Sequence, residues 1–186
     1  MCTHRCLFAA CCCCYFLKLC RKVEEKQAMT SIAAKRIAKD FQILLNEMGE
    51  GGSAHSLIAS AECDNFFRWK LTVRAPSGTI YSRPEGANEY LLLVEFPEDY
   101  PHRAPHLSFL SEVYSPLVGR TGVTCERLLS DEWAPDQRAA DAICRGLRTI
   151  FCGYKNETRF DVNTEARHCL ADNPQLFEER VRCIGC

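Results

Sequence analysis

Tyr114-Ser115-Pro116-Leu117-Val118-Gly119-Arg120-Thr121-Gly122-Val123-Thr124-Cys125 decides how this chain is read, together with Trp133-Ala134-Pro135, which begins eight residues after the cysteine. Half of the fourteen cysteines lie within the first twenty residues, yet Cys125 stands alone. It sits between a loop marked by Pro116, Gly119 and Gly122 and a Trp-Xaa-Pro turn. Such a segment is irregular, and a thiol within it can be reached by solvent, as a nucleophile must be. The competing reading is that an isolated cysteine is a small buried hydrophobe.

Upstream of this stretch, Thr30 or Ser31 can cap a helix that runs to about Met48. Ile37, Phe41, Leu44, Leu45 and Met48 recur at helical spacing, and Lys35, Arg36 and Lys39 lie off that stripe as a solvated face. Gly49, Gly51 and Gly52 end the helix. Phe67, Trp69, Leu71 and Val73 then alternate with Arg68, Lys70, Thr72 and Arg74, the pattern of a half-buried strand. A second strand is predicted over 90–96, a third around Leu107 and Phe109, and an edge strand over 57–62. Ser77-Gly78 and Pro84-Glu85-Gly86 punctuate the connection between the first two. After Trp133, residues Ala139, Ala142, Ile143, Leu147, Ile150 and Phe151 suit a buried helix ending near Cys152-Gly153. Two further helices are predicted over 163–170 and 174–182, the last capped by Asp172 or Asn173 with Pro174 at its first position.

A chain of 186 residues suits one domain, able to bury about two-thirds of its unfolded surface. The net charge of -1 leaves no electrostatic footprint for nucleic acid. The charge is uneven: residues 1–28 form a basic, cysteine-rich head, and the acidic remainder, 29–186, carries the helix and strand patterns. The apolar run over 6–17 is too short for a bilayer span, which needs about twenty residues. No small-x-small cleavage site follows it, and zinc-ligand spacing is absent, so no metal and no cofactor is expected. Two readings of the head stay open. Cys11, Cys12, Cys13 and Cys14 beside a basic flank suit S-palmitoylation and a membrane surface. Otherwise translation begins at Met29, and the head is an artefact of the start site.

Four short motifs resemble, in order, those of ubiquitin-conjugating enzymes. The family carries Tyr-Pro-x-x-Pro-Pro, Tyr-His-Pro-Asn, Gly-x-x-Cys and Trp-x-Pro. This chain reads Tyr100-Pro101-His102-Arg103-Ala104-Pro105, Tyr114-Ser115-Pro116-Leu117, Gly122-Val123-Thr124-Cys125 and Trp133-Ala134-Pro135. The gaps from Leu117 to Cys125 and from Cys125 to Trp133 are eight residues each, as in the family. The resemblance covers roughly residues 29 to 186. It implies an α+β ubiquitin-conjugating fold: an N-terminal helix, a four-stranded antiparallel sheet, a catalytic loop and C-terminal helices. It also implies that Cys125 carries a ubiquitin-like modifier as a thioester and passes it to a target lysine. Lys35, Arg36 and Lys39 would dock the cognate activating enzyme. Pro101, His102, Ala134 and Pro135 would dock a RING-type or cullin-associated ligase. A cytoplasmic or nuclear location follows, at a membrane surface if the head is translated and acylated.

Two departures bear on activity. Where the family has His-Pro-Asn, this chain has Ser115-Pro116-Leu117. The family's asparagine supports the loop and the oxyanion formed when an amine attacks, and leucine has no donor for either task. Loss of a direct oxyanion donor costs about 10²–10³ in rate, so discharge is expected to be weak or ligase-dependent. The acid that orients the lysine in the family would be Asp161 or Glu157. Among rival thiols, Cys63, Cys144 and Cys152 are explained by burial, and Cys183 and Cys186 belong to a tail. The closing segment, Asp172-Asn173-Pro174-Gln175-Leu176-Phe177-Glu178-Glu179-Arg180-Val181-Arg182, with Ser130-Asp131-Glu132-Trp133, resembles the branch that conjugates Nedd8-type modifiers. The alternatives are ubiquitin as the modifier, or an impaired variant that only binds partners. Cys125 argues against the latter, since inactive relatives typically lack the cysteine.

Overall fold

The computed structural model describes residues 31–49, 57–82 and 89–184. The cysteine-rich head, Gly51, Gly52, Pro84-Glu85-Gly86 and Cys186 lie outside the described residues. Helix α1 spans Ile32–Gly49, and the Ser31 hydroxyl caps it by accepting the Ala34 N–H at 3.0 Å. Ala33, Ala34, Ile37 and Leu44 are buried, with Phe41 and Met48 packed beside them. Leu45, expected on this face, is exposed: one residue beyond Leu44 turns it about 100° away from the core. Asp40 is instead drawn inside, at 3% exposure.

The sheet is an antiparallel meander of β1 (Ile58–Asn65), β2 (Arg68–Arg74), β3 (Glu89–Glu95) and β4 (His106–Phe109). Period-two patterning explains its two faces. Trp69, Val94 and Leu107 form one buried cross-strand row, and Leu71, Leu92 and Phe109 the next. On the opposite face, Arg68 pairs with Glu95 and Arg74 with Glu89, each directly across the ladder. Phe41, Trp69 and Phe96 link α1 to the sheet, with ring centroids 5.1 and 4.5 Å apart in turn. The edge strand also corrects an expectation. Cys63 is exposed, on the edge strand β1 beside an irregular register, with its thiol donating to the Asn65 carbonyl at 3.0 Å.

A four-residue helix, α2 (Arg127–Ser130), follows Cys125 and is too short for sequence periodicity to reveal. Helix α3 (Ala139–Arg148) is buried along most of its length and continues into a π-turn, Thr149–Gly153. Ile150 and Phe151 stay in the core. Cys152 does not: it follows them in the widened turn and is exposed, contrary to its expected burial. Helix α4 (Thr164–Asp172) is capped by Asn163, and α5 (Pro174–Cys183) by Asn173 rather than Asp172. Phe177 and Val181 anchor α5 to the core.

Cysteine chemistry tests this placement. Burial pushes the Cys144 thiol up to about 11, which leaves roughly one thiolate in a thousand at pH 8. Iodoacetamide at that pH should label Cys63 and Cys152 of the native protein and spare Cys144, as read by peptide mass spectrometry. Labelling of Cys144 at the rate of Cys63 would contradict the fold.

Candidate active site

The frame of Cys125 is built on β4. The Phe109 N–H donates to the Gly122 carbonyl at 2.8 Å, and the Thr124 N–H and hydroxyl both donate to the Leu107 carbonyl, at 3.3 and 2.9 Å. The approach is close enough that only glycine fits: Gly122 has a φ of 82°, and a Cβ there would lie 2.0 Å from the Phe109 carbonyl oxygen. The turn is closed by Gly122 donating to the Gly119 carbonyl and Gly119 donating to that of Val123, both at 2.9 Å. Cys125 comes next. Its carbonyl accepts the Leu128 N–H at 3.0 Å, starting α2, and buried Leu128 and Leu129 hold that turn down. The thiol is free and half-buried, between a strand-like segment and a helix. Arg127 lies alongside. Its guanidinium is held above its ordinary range by its hydrogen bond and charge pairing with Asp131.

The Ser115-Pro116-Leu117 loop is an interior element. Ser115, Leu117 and Val118 have no exposed surface, so Leu117 does not simply leave a gap where the family has asparagine. It fills the core, and its N–H donates to the Ser115 hydroxyl at 3.3 Å. The buried Tyr81 phenol donates to the Tyr114 carbonyl at 3.2 Å, and burial raises its pKa above the ordinary value. From the other side, the N–H groups of Val162 and Asn163 both donate to the Pro116 carbonyl, at 2.9 and 3.0 Å. The Asn163 amide also reaches the Val118 carbonyl at 3.4 Å. Sequence reasoning placed Asn163 only at a helix start. Its hold on the loop spans 45 residues and has no local signal.

Asp161 and Glu157 are each committed to a cation. Asp161 pairs with Arg167 through bonds of 2.7 and 2.6 Å, and Arg167 also donates to the Lys155 and Glu157 carbonyls. Glu157 accepts from Arg159 at 2.9 and 3.0 Å, which holds its carboxyl below the usual range. Arg159 lies within electrostatic reach of Asp131 and Glu132, so this loop faces α2. Among the described residues no three His, Cys, Asp or Glu side chains come together to hold a metal.

The docking candidates divide. Lys35 and Lys39 are exposed on α1, but Arg36 is turned inward, bonded to Asp40 and to the Pro135 and Gln137 carbonyls. It is therefore not the solvated base its spacing suggests. Ala134, Pro135 and His102 are exposed and Pro101 is half-buried, while Trp133 donates its indole N–H to the Pro101 carbonyl at 2.8 Å. An open cleft of about 150 Å³ lies between these turns, lined by His102, Arg103, Glu126 and Trp133. A wider cleft of about 560 Å³ is walled by Tyr114, Arg120, Glu165 and Ile184 and does not include Cys125.

Residues 36–184 match the family model for ubiquitin-conjugating enzymes, and the chain belongs to that family. A ubiquitin-conjugating enzyme E2 2 from Candida glabrata is 30% identical over 154 residues, 83% of this chain and 85% of that one. The protein of the same name from Saccharomyces cerevisiae is 29% identical, over 83% of each. Among solved structures, a ubiquitin conjugating enzyme from Trypanosoma cruzi shares 43% identity with a TM-score of 0.73, covering 80% of this chain and 96% of that one. Pex4p of H. polymorpha, solved with the soluble domain of Pex22p, shares the fold at a TM-score of 0.69 and 18% identity, over 83% and 96%.

Two substitutions test the frame. Gly122→Ala should lower the free energy of unfolding by at least ~2 kcal/mol in urea titrations, because both φ and the Phe109 contact oppose a side chain. Leu117→Asn buries an amide where a methyl cluster was, and should cost about 2–5 kcal/mol. A Leu117→Asn variant as stable as its parent would mean that the loop opens to solvent.

Proposed function

We propose that the chain is an active conjugating enzyme that carries a ubiquitin-type modifier on Cys125. The observation that carries this reading is a free, half-exposed thiol on a backbone frame tied to β4 and α2. Such a frame holds the sulfur still while leaving it reachable. In charging, the Cys125 thiolate attacks the carbonyl carbon of the activating enzyme's thioester. A new C–S bond forms, and the activating enzyme's thiol leaves. In discharge, a target lysine amine attacks that carbonyl, the Cys125 thiolate leaves, and the amine gives up a proton as the isopeptide bond forms.

Exposed Lys35 and Lys39 are the docking bases for the activating enzyme, and His102, Pro101, Ala134 and Pro135 form the ligase surface. Glu157 and Asp161 are the candidate lysine-orienting acids, each held in place by an arginine. Leu117 offers no donor to the oxyanion, so discharge onto free lysine is slow and leans on a ligase to order the site. We place ubiquitin first as the modifier, because relatives spanning 83% of the chain bear that name. The Nedd8-type reading is second and rests chiefly on the closing segment from Asp172 to Arg182.

Incubation with purified activating enzymes, ATP and each modifier should give a reductant-sensitive adduct with one of them. Cys125→Ser should convert it to a reductant-resistant ester, and Cys125→Ala should abolish it. An adduct that survives Cys125→Ala would move the site elsewhere.

A further inference from the structure

We infer that Arg36 is the positioning residue of the ligase-docking loop, rather than a docking cation for the activating enzyme. Its side chain is only 24% exposed. One Nη donates to the Pro135 carbonyl at 2.9 Å and the other to the Gln137 carbonyl at 2.8 Å, across about a hundred residues of sequence. The Nε–H is shared between the two Asp40 oxygens at 3.2 Å. A planar guanidinium sets its donors on three separate nitrogens and so spans two divergent carbonyls and a carboxylate at once, whereas an ammonium gathers its three donors on one atom.

Apart from Arg145 of α3, whose guanidinium meets the side chains of Glu132 and Gln137 at 3.2 and 3.4 Å, the loop has few other fastenings, and none of these reaches its backbone carbonyls at 135 and 137. Between Asp131 and Arg138 it belongs to neither helix nor strand. Its internal bonds are those of Trp133 to the Ser130 carbonyl and Gln137 to that of Ala134. Pro135 lacks an N–H, and Ala134, Pro135 and Asp136 are exposed. The two ends are fastened from outside. The Trp133 indole is bonded to Pro101 and lies 5.7 Å from the Tyr100 ring, and Arg138 pairs with Glu47 on α1. Arg36 takes the middle. Behind it, buried Asp40 also accepts the Tyr100 hydroxyl, so one carboxylate aligns both the guanidinium and the ring that packs against Trp133. The surface formed by Ala134 and Pro135 is thereby set from α1 before any partner arrives, which lowers the ordering cost of docking.

The inference rests on the ligase-docking role proposed above for Ala134 and Pro135, and its test has one readout free of that role. In the uncharged protein, hydrogen exchange at the Gln137 amide should accelerate about tenfold or more in both Arg36→Lys and Arg36→Gln, while the β2–β3 amides keep their protection. In ligase-stimulated discharge, both variants should need about tenfold more RING-type ligase for half-saturation, with turnover at saturation within twofold of the parent. A docking cation would behave otherwise, since Arg36→Lys would preserve function and only Arg36→Gln would lose it. Parent-like behaviour of Arg36→Lys, or unchanged exchange at Gln137, overturns the inference. Failure of the parent to form any thioester would instead sink the conjugating reading, with the exchange experiment still deciding the role of Arg36.

Discussion

The hydrogen bonds that tie Gly122 and Thr124 to the backbone of β4 are the constraint on which the rest of the site depends. They hold a stretch with no regular structure alongside the sheet, where Ser108 and Val123 form an isolated antiparallel bridge. Cys125 is the first residue released from it, and its carbonyl at once begins α2. The thiol therefore needs no dedicated side chain to fix its position, because the backbone is held on both sides of it. The arrangement works only with a glycine at 122, where a left-handed φ brings the chain within contact of Phe109.

The neighbouring loop, Ser115-Pro116-Leu117, is packed into the core and hydrogen-bonded to distant parts of the chain. Support of the loop does not need an amide at 117. A buried leucine supplies packing, while Tyr81 and Asn163 hold the loop's carbonyls from opposite sides. Stabilising an oxyanion is different, since packing cannot replace a donor. Structure and chemistry thus part at this residue: the loop is well held, yet the side chain at 117 has no hydrogen-bond donor.

Arginine recurs as a long-range fastener in this fold. Arg36 on α1, Arg138 just before α3 and Arg167 on α4 each reach a carboxylate, and Arg36 and Arg167 also reach loop carbonyls. The planar fork explains the choice, because a single side chain satisfies several acceptors that would otherwise lose water without gaining a partner. The same geometry commits Asp161 and Glu157, so neither acid near the site is an isolated charge.

Local pattern in the sequence was enough for the strand alternation of β2, for Pro174 at the head of the last helix and for the succession of one helix, four strands and C-terminal helices. Each follows from period, turn chemistry or motif spacing, which are readable within a few residues. It was not enough for Leu45, Cys63 and Cys152, whose exposure depends on what the rest of the chain leaves uncovered. Helix α2 is shorter than any hydrophobic period. Arg36 carries the spacing of a solvated base, yet it points inward, because its acceptors, Pro135 and Gln137, lie about a hundred residues away. Leu117 reads as a lost donor and is also a core residue. Composition and spacing report what a residue can do, but only the folded chain decides which partners are within its reach.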